Sequence, residues 1–212
     1  DPDSVRDAFD AAESELGPLN QLIAGAAGNF LCPSEDLSPN AFNAVVQIVL
    51  YGTFHCAMEL GRRLIARSQP GEILAITTNY AESGSAFVLP SACAKAGVLA
   101  LVRSLAVEWA AYGIRLNAVA PGPFPTEGAF SRLAPREVED QMRRRVPSRR
   151  FGEHWELTNL VAYLMSGASP YQTGDQVTID GAEALFSGQE FAGFAQMDRA
   201  AVKTMMAALR KK

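Results

Sequence analysis

Tyr80, Ser91 and Lys95 stand close together in the sequence and have side chains that can donate or hold protons. Ser91 and Lys95 are four residues apart, so in a helix they would share one face. A phenol near a lysine ammonium in a partly dry cleft can act as a proton donor or can stabilise a developing oxyanion. On spacing alone, the alternative is a loop aromatic at Tyr80 and a solvated surface cation at Lys95.

Lys95 is predicted to lie in the first turn of a long helix, where the helix dipole disfavours a cation by about 0.3–1 kcal/mol. A functional demand on the charge is one explanation of this unfavourable position. Ser91 has two interpretations. It either supports the site by bonding a neighbour or a cofactor, or caps the start of the helix.

The segments around these residues alternate between short apolar runs and helical patterns. Alternation on this length scale predicts parallel strands joined by helical crossovers, in a doubly wound α/β sheet of the Rossmann type. Since no repeat, low-complexity tract or linker divides the sequence, we expect a single domain over residues 1–212. The predicted helices are 2–16, 39–67, 90–112 and 153–166, and the predicted strands lie within 21–28, 72–78, 115–120 and 176–180.

Ligands of open α/β sheets bind outside the carboxyl ends of the strands. The first three predicted strands are followed by GAAGN, NYAESGS and PGPFPTEG. Gly25 and Gly28 either let the backbone approach a ligand closely or form ordinary strand-to-helix turns. Tyr80 follows the second strand and is therefore predicted to lie at the ligand edge of the sheet.

The composition is that of an ordinary soluble domain, with 212 residues, 48% hydrophobic and 20% charged. A formal net charge of −4 and a pI of about 5.3 indicate neither nucleic acid nor an anionic membrane as a partner. The apolar run 44–60 contains Gln47 and His55 and is predicted to be a buried helix rather than a membrane span. A cytoplasmic location is expected, with organellar targeting as the alternative.

The cysteines and histidines share no metal-ligand spacing, so no metal site is expected. The odd number of cysteines fits a reducing compartment better than a disulfide framework, and we expect buried free thiols. The residues concerned are Cys32, Cys56, Cys93, His55 and His154.

Five segments carry a resemblance to a known family: AAGNF (26–30), LSPNAF (37–42), TTNYAESGSAFVLPSACAKAGV (77–98), PGPFPTEGAFSRL (121–133) and VTIDGAEAL (177–185). Through them the chain resembles the short-chain dehydrogenase/reductase superfamily, and within it the NADPH-dependent 2,4-dienoyl-CoA reductases of the mitochondrial and peroxisomal type and their bacterial relatives. Most members of the superfamily have a tyrosine four residues before the active-site lysine, where this sequence has Ser91. Dienoyl-CoA reductases place the tyrosine eleven residues before that serine, which here is Tyr80.

The resemblance implies a role for each candidate site residue. Lys95 should bond the hydroxyls of the nicotinamide ribose, and Ser91 should support the site. Tyr80 and Asn29 should donate hydrogen bonds to the thioester oxygen of the substrate and so stabilise a dienolate. The implied cofactor contacts are Lys95, Gly25, Ala26, Thr78, Pro121, Gly122 and Thr126, and the implied substrate contacts are Asn29, Phe30, Tyr80, Ser91 and Phe130.

The implied activity is the NADPH-dependent reduction of 2,4-dienoyl-CoA to 3-enoyl-CoA in fatty acid β-oxidation, with NADH as the alternative cofactor and without metal or flavin. The resemblance also implies an acyl-CoA partner, a homotetramer formed through the helices 39–67 and 90–112, and a mobile loop at 127–133 over the acyl site. A basic cluster would either meet the phosphates of coenzyme A or form a solvated surface. Its members are Arg143, Arg144, Arg145, Arg149 and Arg150.

The sequence departs from the family pattern at three positions. Ala24 and Gly25 replace part of an Asn-Asn-Ala type sequence, and Tyr51 replaces an asparagine that organises a proton path. The glycine-rich TGxxxGxG turn and the first strands of the family would precede Asp1, so we expect the sequence to be incomplete at its amino end. The alternatives are a related reductase of another enoyl thioester or a carbonyl, and a non-catalytic binding or assembly subunit of the same fold.

Overall fold

The computed structural model describes residues 1–126, 136–186 and 191–209. The chain divides into two compact units. The first comprises Asp1–Pro121 and His154–Thr178, and the second comprises Gly122–Glu153 and Ile179–Lys212. The single domain expected over residues 1–212 stays a prediction.

Helices and strands alternate along the chain, as the sequence pattern predicts. The α-helices are α1 (Pro2–Leu16), α2 (Pro39–Val46), α3 (Gly52–Arg67), α4 (Leu89–Trp109), α5 (Arg136–Arg145), α6 (His154–Met165), α7 (Glu183–Phe186) and α8 (Arg199–Leu209). The strands are β1 (Gln21–Ala24), β2 (Gly71–Ile76), β3 (Ile114–Pro121) and β4 (Gln176–Ile179). Short 3₁₀ turns occupy Ser34–Asp36, Ala110–Tyr112 and Ala192–Gln196, and a π turn occupies Gln47–Tyr51.

The strands form one sheet in the order β1-β2-β3-β4. β1 pairs in parallel with β2 and β2 with β3, in a register that places Gln21 opposite Glu72 and Glu72 opposite Arg115. Most of β2 and β3 is buried, as expected where helices cover both faces of a parallel sheet. The predicted parallel α/β sheet is therefore confirmed.

The two long helices pack on this sheet, α3 against β1 and α4 against β3. Gly61 allows α3 and α4 to approach closely, because a Cβ atom at this position would lie 2.3 Å from the ring of Trp109. By length and apolar composition alone, Pro39–Arg67 and Leu89–Tyr112 could cross a membrane. This is weak evidence for a membrane, since core helices of α/β folds have the same composition.

The helical segment predicted at 44–60 as a buried helix is buried on one face only, and this corrects the prediction. Val49, Ala57 and Leu60 lie in the core, whereas Ile48 and Phe54 are exposed. The helix is also not a regular α-helix throughout, because the π turn at Gln47–Tyr51 separates α2 from α3. Such turns rotate the side chains that follow them relative to those that precede them.

An ion-pair cluster joins α1 to α3. Glu13 of α1 accepts hydrogen bonds from Arg63 at 2.8 Å and from Arg67 at 2.7 Å, and Asp10 accepts from Arg63 at 2.6 Å. The hydrogen bond from Arg67 is the main reason that the pKa of Glu13 falls from 4.5 to about 2. The α1 amino end is capped by Asp1, as predicted, with its carboxylate accepting from the Asp3 N–H.

A polar row crosses the amino ends of three strands. Gln21, Glu72 and Arg115 are neighbours on β1, β2 and β3, and Arg115 forms an ion pair with Glu72 at 2.6 Å. Arg115 also donates to the Leu164 carbonyl at 3.0 Å, and Gln21 donates to the Met165 carbonyl at 2.6 Å. These two carbonyls end α6, so the row satisfies acceptors that the helix itself leaves unpaired.

The second unit has its own packing. Val146 and Val202 are its buried apolar residues among those described. The carboxylate of Asp180 accepts from the backbone N–H groups of Ala182 and Ala184, both at 2.8 Å, at the start of the short helix α7. Acceptors at this position satisfy N–H groups that have no partner within a helix.

Candidate active site

The loops that follow β1 and β2 meet at the carboxyl edge of the sheet. The hydroxyl oxygen of Tyr80 lies 3.5 Å from Nδ2 of Asn29 and 3.1 Å from Oγ of Ser91. Asn29 and Tyr80 are 51 residues apart in the sequence, so the parallel sheet is what brings them together. Three of the four residues proposed to be catalytic are thus in direct contact.

The orientation of the Asn29 amide is set by its own loop. Its Oδ1 accepts a hydrogen bond from the backbone N–H of Phe30 at 2.9 Å, which leaves the NH₂ group facing the phenol of Tyr80. The amide has two N–H donors, so one can approach Tyr80 while the other serves a ligand. Asn29 is solvent-exposed and is therefore accessible to such a ligand.

Ser91 lies inside helix α4 and is buried, with 3% of its surface exposed. The residue at the N-cap of α4 is Val88, and no side-chain hydrogen bond from the described residues caps this helix. The interpretation of Ser91 as the helix cap is therefore wrong, and its hydroxyl instead contacts Tyr80. If Asn29 and Ser91 both donate to the phenolic oxygen, the O–H of Tyr80 remains available to donate to a bound molecule.

Lys95 is the seventh residue of α4 and is 6% exposed. It lies in the second turn of the helix, so the prediction of a first-turn position is wrong. The helix dipole therefore disfavours this cation less than predicted, since the dipole effect falls off within the first turn. Its ammonium donates to the carbonyl of Ile76, the last residue of β2. Burial lowers the pKa of Lys95 from 10.5 to about 8, so desolvation is the main cost of placing a cation here.

A second hydrogen bond joins the same two loops. The backbone N–H of Cys32 donates to the carbonyl of Phe87 at 2.9 Å. Phe87 has a φ of 64°, a left-handed conformation that is rare for a bulky residue. Sequence reasoning missed Phe87 because no residue pattern around it signals a positive φ.

The other predicted cofactor and substrate residues are spread over both units. Gly25 and Ala26 are exposed after β1, Thr78 follows β2, and Pro121 is the last residue of β3. Phe30 is partly buried and packs against the hydrophobic core. Gly122 and Thr126 belong to the second unit, and Phe130 and the predicted loop at 127–133 lie outside the described residues. The roles of all these residues stay predictions.

The basic cluster is partly engaged. Arg143 pairs with Glu139 at 2.8 Å and lies 5.2 Å from the ring centre of Phe151, and Arg149 donates to the Ala195 carbonyl at 3.2 Å. Arg144 and Arg145 are exposed. The phosphate-binding and the solvated interpretations of the cluster both stay predictions.

The cysteines are less buried than expected. Cys32 and Cys56 are half-buried, whereas Cys93 is exposed on α4, so the prediction of buried thiols is wrong for Cys93. Burial raises the pKa of the Cys56 thiol.

Tyr51 ends the π turn and is exposed, with its ring 6.3 Å from that of His55. Among the described residues, no group of three or more His, Cys, Asp or Glu side chains could hold a metal ion.

Comparison with known proteins decides the family. Residues 1–182 match the family model described as enoyl-(acyl carrier protein) reductase. A crystal structure of a short chain dehydrogenase from Bacillus anthracis superposes with a TM-score of 0.79 and 38% sequence identity, covering 86% of this chain and 71% of that chain. The chain belongs to the short-chain dehydrogenase/reductase family. Members of this family are oxidoreductases.

Two curated relatives are similar to most of this chain. An uncharacterized oxidoreductase of Caenorhabditis elegans is 48% identical over 187 residues, which are 86% of this chain and 60% of the relative. A probable 2,4-dienoyl-CoA reductase of Bacillus subtilis, named as producing (2E)-enoyl-CoA, is 45% identical over 186 residues, which are 86% of this chain and 72% of the relative. The chain thus spans between three fifths and three quarters of the length of these relatives.

Proposed function

We propose that the protein reduces 2,4-dienoyl-CoA thioesters with NADPH to give 3-enoyl-CoA. The observation that carries the proposal is the contact of Tyr80 with both Asn29 and Ser91 at the carboxyl edge of the sheet. The tyrosine occupies the position that the resemblance to dienoyl-CoA reductases implies. The relative from Bacillus subtilis bears that name with (2E)-enoyl-CoA as its product, so it supports the dienoyl-CoA substrate, and the 3-enoyl-CoA product rests on the resemblance.

Asn29 and Tyr80 supply two hydrogen-bond donors that can converge on one oxygen. When a hydride adds to the far end of a conjugated dienoyl thioester, negative charge is delocalised onto the thioester oxygen. Donors placed beforehand around that oxygen stabilise the charge without reorganising, and loss of one such donor typically costs about 10²–10³ in kcat. Tyr80 and Asn29 would therefore form the oxyanion site of the reaction.

Ser91 acts on this site through Tyr80. Its buried hydroxyl lies 3.1 Å from the phenolic oxygen, so it restricts the rotation of the phenol and can leave the phenolic hydrogen directed at the substrate. We therefore regard Ser91 as a positioning residue for Tyr80. Its position one helical turn before Lys95 also keeps the surroundings of the ammonium polar.

Lys95 fits the binding of a nicotinamide cofactor. An ammonium has three N–H donors, and the carbonyl of Ile76 is the one acceptor that the described residues offer it. The remaining donors are available for the hydroxyls of a ribose at the edge where sheets of this type bind nucleotides. Bound NADPH would supply the hydride for the reduction.

The proposed partners are an acyl-CoA substrate and further copies of the same chain. Large apolar side chains are exposed on α4 and on the helix formed by α2 and α3, among them Ile48, Phe54 and Val107. Exposed apolar side chains on long helices support a homo-oligomer, which the resemblance implies to be a tetramer. We also propose a cytoplasmic location for the protein.

A second candidate is the reduction of an enoyl thioester carried on acyl carrier protein. The description of the matching family model favours this reaction. It needs the same oxyanion donors, because the charge again develops on a thioester oxygen. The two candidates differ in the carrier and in the number of conjugated double bonds.

The test compares NADPH oxidation with 2,4-decadienoyl-CoA, 2-decenoyl-CoA and decenoyl acyl carrier protein as substrates. We expect turnover of the dienoyl-CoA, and a fall in kcat of about 10²–10³ for Tyr80→Phe, which removes one donor. Tyr171→Phe is the matched control, because Tyr171 is fully exposed in the loop between α6 and β4.

Preference for a monoenoyl substrate, or a Tyr80→Phe variant as active as wild type, would contradict the proposal. Failure of the protein to bind NADPH would favour the non-catalytic alternative. Mass spectrometry together with double-bond analysis of the product distinguishes 3-enoyl-CoA from 2-enoyl-CoA. Protonation of the dienolate at C2 gives the 3-enoyl product, and protonation at C4 gives the 2-enoyl product.

A further inference from the structure

Phe87 adopts a backbone conformation that needs an explanation. Its φ of 64° is left-handed, and a side chain with a Cβ atom is disfavoured there. Residues held in such conformations persist only where the surrounding structure determines them, and they cluster at functional sites. Phe87 is 58% exposed, so burial in the core does not account for its position.

The hydrogen bond that holds Phe87 belongs to the candidate site. Its carbonyl accepts from the N–H of Cys32 at 2.9 Å, and Cys32 lies three residues after Asn29. The loops after β1 and β2 are therefore joined at two points, one at Asn29 and Tyr80 and the other at Cys32 and Phe87. The geometry that places the two donors also places the ring of Phe87.

The second junction is flanked by large apolar side chains that are open to solvent. Leu31 precedes Cys32 and is 60% exposed, and Leu89 lies two residues after Phe87 and is 40% exposed. Single exposed apolar residues are ordinary on protein surfaces. Three within two residues of one hydrogen bond, at the ligand edge of a sheet, form an apolar surface of the kind that binds ligands.

We propose that Phe87 and Leu31 form the surface on which the acyl chain of the thioester lies, beyond the carbonyl group held by Asn29 and Tyr80. The inference rests on the proposed function in assuming an acyl thioester ligand. It adds that the loop before α4 selects for chain length, because a longer chain covers more of the ring and of the leucine.

The first test measures binding with saturated acyl-CoA, which cannot be reduced. Calorimetric titration with decanoyl-CoA and butanoyl-CoA gives a Kd for each with wild type, Phe87→Ala, Phe87→Gly and Leu31→Ala. We expect Phe87→Ala to weaken decanoyl-CoA about 5–20-fold and butanoyl-CoA less than about 2-fold, from the apolar area that the ring loses. Tyr171→Ala serves as the control for loss of an exposed aromatic ring elsewhere in the first unit.

Phe87→Gly separates the ring from the backbone, because glycine adopts a positive φ without strain. If the ring makes the contact, Phe87→Gly and Phe87→Ala weaken decanoyl-CoA alike. If Phe87→Gly binds as wild type does and Phe87→Ala does not, the effect lies in the backbone and the inference is overturned. Thermal melts of each variant show whether the fold is retained.

Turnover of dienoyl-CoA is measured separately on the same variants, so that the two proposals fail in different ways. Unchanged decanoyl-CoA affinity in Phe87→Ala overturns the inference even if the wild type reduces dienoyl-CoA. Weaker affinity in Phe87→Ala and Phe87→Gly, combined with no reduction of any dienoyl-CoA by wild type, supports the acyl surface and refutes the proposed reaction.

Discussion

Burial of Lys95 predicts an effect on the free energy of unfolding that can be measured separately from the role of this residue in binding. The pKa of this ammonium falls from 10.5 to about 8 because burial disfavours the charged form. This difference corresponds to about 3 kcal/mol at pH 7, by which the charge destabilises the folded state. Replacing Lys95 by Met removes the charge and keeps a long apolar side chain.

The pH dependence follows from the protons bound in each state. Between pH 8 and 10.5 the unfolded chain holds the proton of Lys95 more often than the folded protein does, so stability rises with pH in this range. The destabilisation by the charge is about 3 kcal/mol at pH 7 and about 1 kcal/mol at pH 9.5. The advantage of Lys95→Met over wild type should therefore shrink by about 2 kcal/mol between these pH values.

The absolute effect at pH 7 is smaller than the charge alone implies. Lys95→Met also loses the hydrogen bond to Ile76, which is worth about 1 kcal/mol. This loss is nearly independent of pH, since the neutral amine donates as well, and it cancels in the comparison of two pH values. We expect Lys95→Met to be more stable than wild type at pH 7 by about 1–2 kcal/mol and close to it at pH 9.5.

Urea unfolding followed by circular dichroism, for wild type and Lys95→Met at pH 7 and pH 9.5, measures the four free energies of unfolding. A difference between the two proteins that changes by less than about 0.5 kcal/mol across this range would refute the reasoning. Lys95→Gln, which keeps a polar side chain without the charge, should show the same change with pH. Loss of NADPH binding in the stabilised variant would show that the charge is retained for function.

Two further predictions concern the packing of the helices. Glu13 has a pKa of about 2 in the folded protein, so its carboxylate stabilises the fold above pH 4.5, and this stabilisation is lost as the pH falls towards 2. Glu13→Gln should therefore flatten the acid limb of a stability curve measured by urea unfolding, with Glu15→Gln as the control. An unchanged acid limb would contradict the pairing with Arg67. Gly61→Ala should lower the free energy of unfolding by about 1–3 kcal/mol, because the added Cβ would lie 2.3 Å from the Trp109 ring. A thermal melt without a drop in Tm would contradict the close approach of α3 and α4.

The sequence predicted the parallel sheet and the shared helical face of Ser91 and Lys95, because both depend on local periodicity. It also predicted the start of α4 to within one residue of Leu89, but it was wrong in assigning Lys95 to the first turn and Ser91 to the helix cap. Start signals in sequence are side chains such as serine, but Val88 occupies the N-cap.

Contacts between distant segments were beyond sequence reasoning for a different reason. Glu13 and Arg63 are 50 residues apart, and their pairing depends on the angle at which α1 lies on α3. The left-handed conformation of Phe87 likewise depends on the hydrogen bond from Cys32, which exists only once two loops have met. Family resemblance assigned Asn29 and Tyr80 to the same site, and the structure places Nδ2 of Asn29 3.5 Å from the Tyr80 hydroxyl oxygen, while their roles stay predictions.

The polar row of Gln21, Glu72 and Arg115 lies at the amino ends of the strands, whereas Tyr80 follows the carboxyl end of β2. The bonds that anchor α6 are thus separated by the length of the strands from the residues that meet a ligand. An exchange of the segment between Ile76 and Leu89 for one of another shape would leave that anchorage untouched. The scaffold therefore permits new specificities to be built at one edge while the opposite edge preserves the framework.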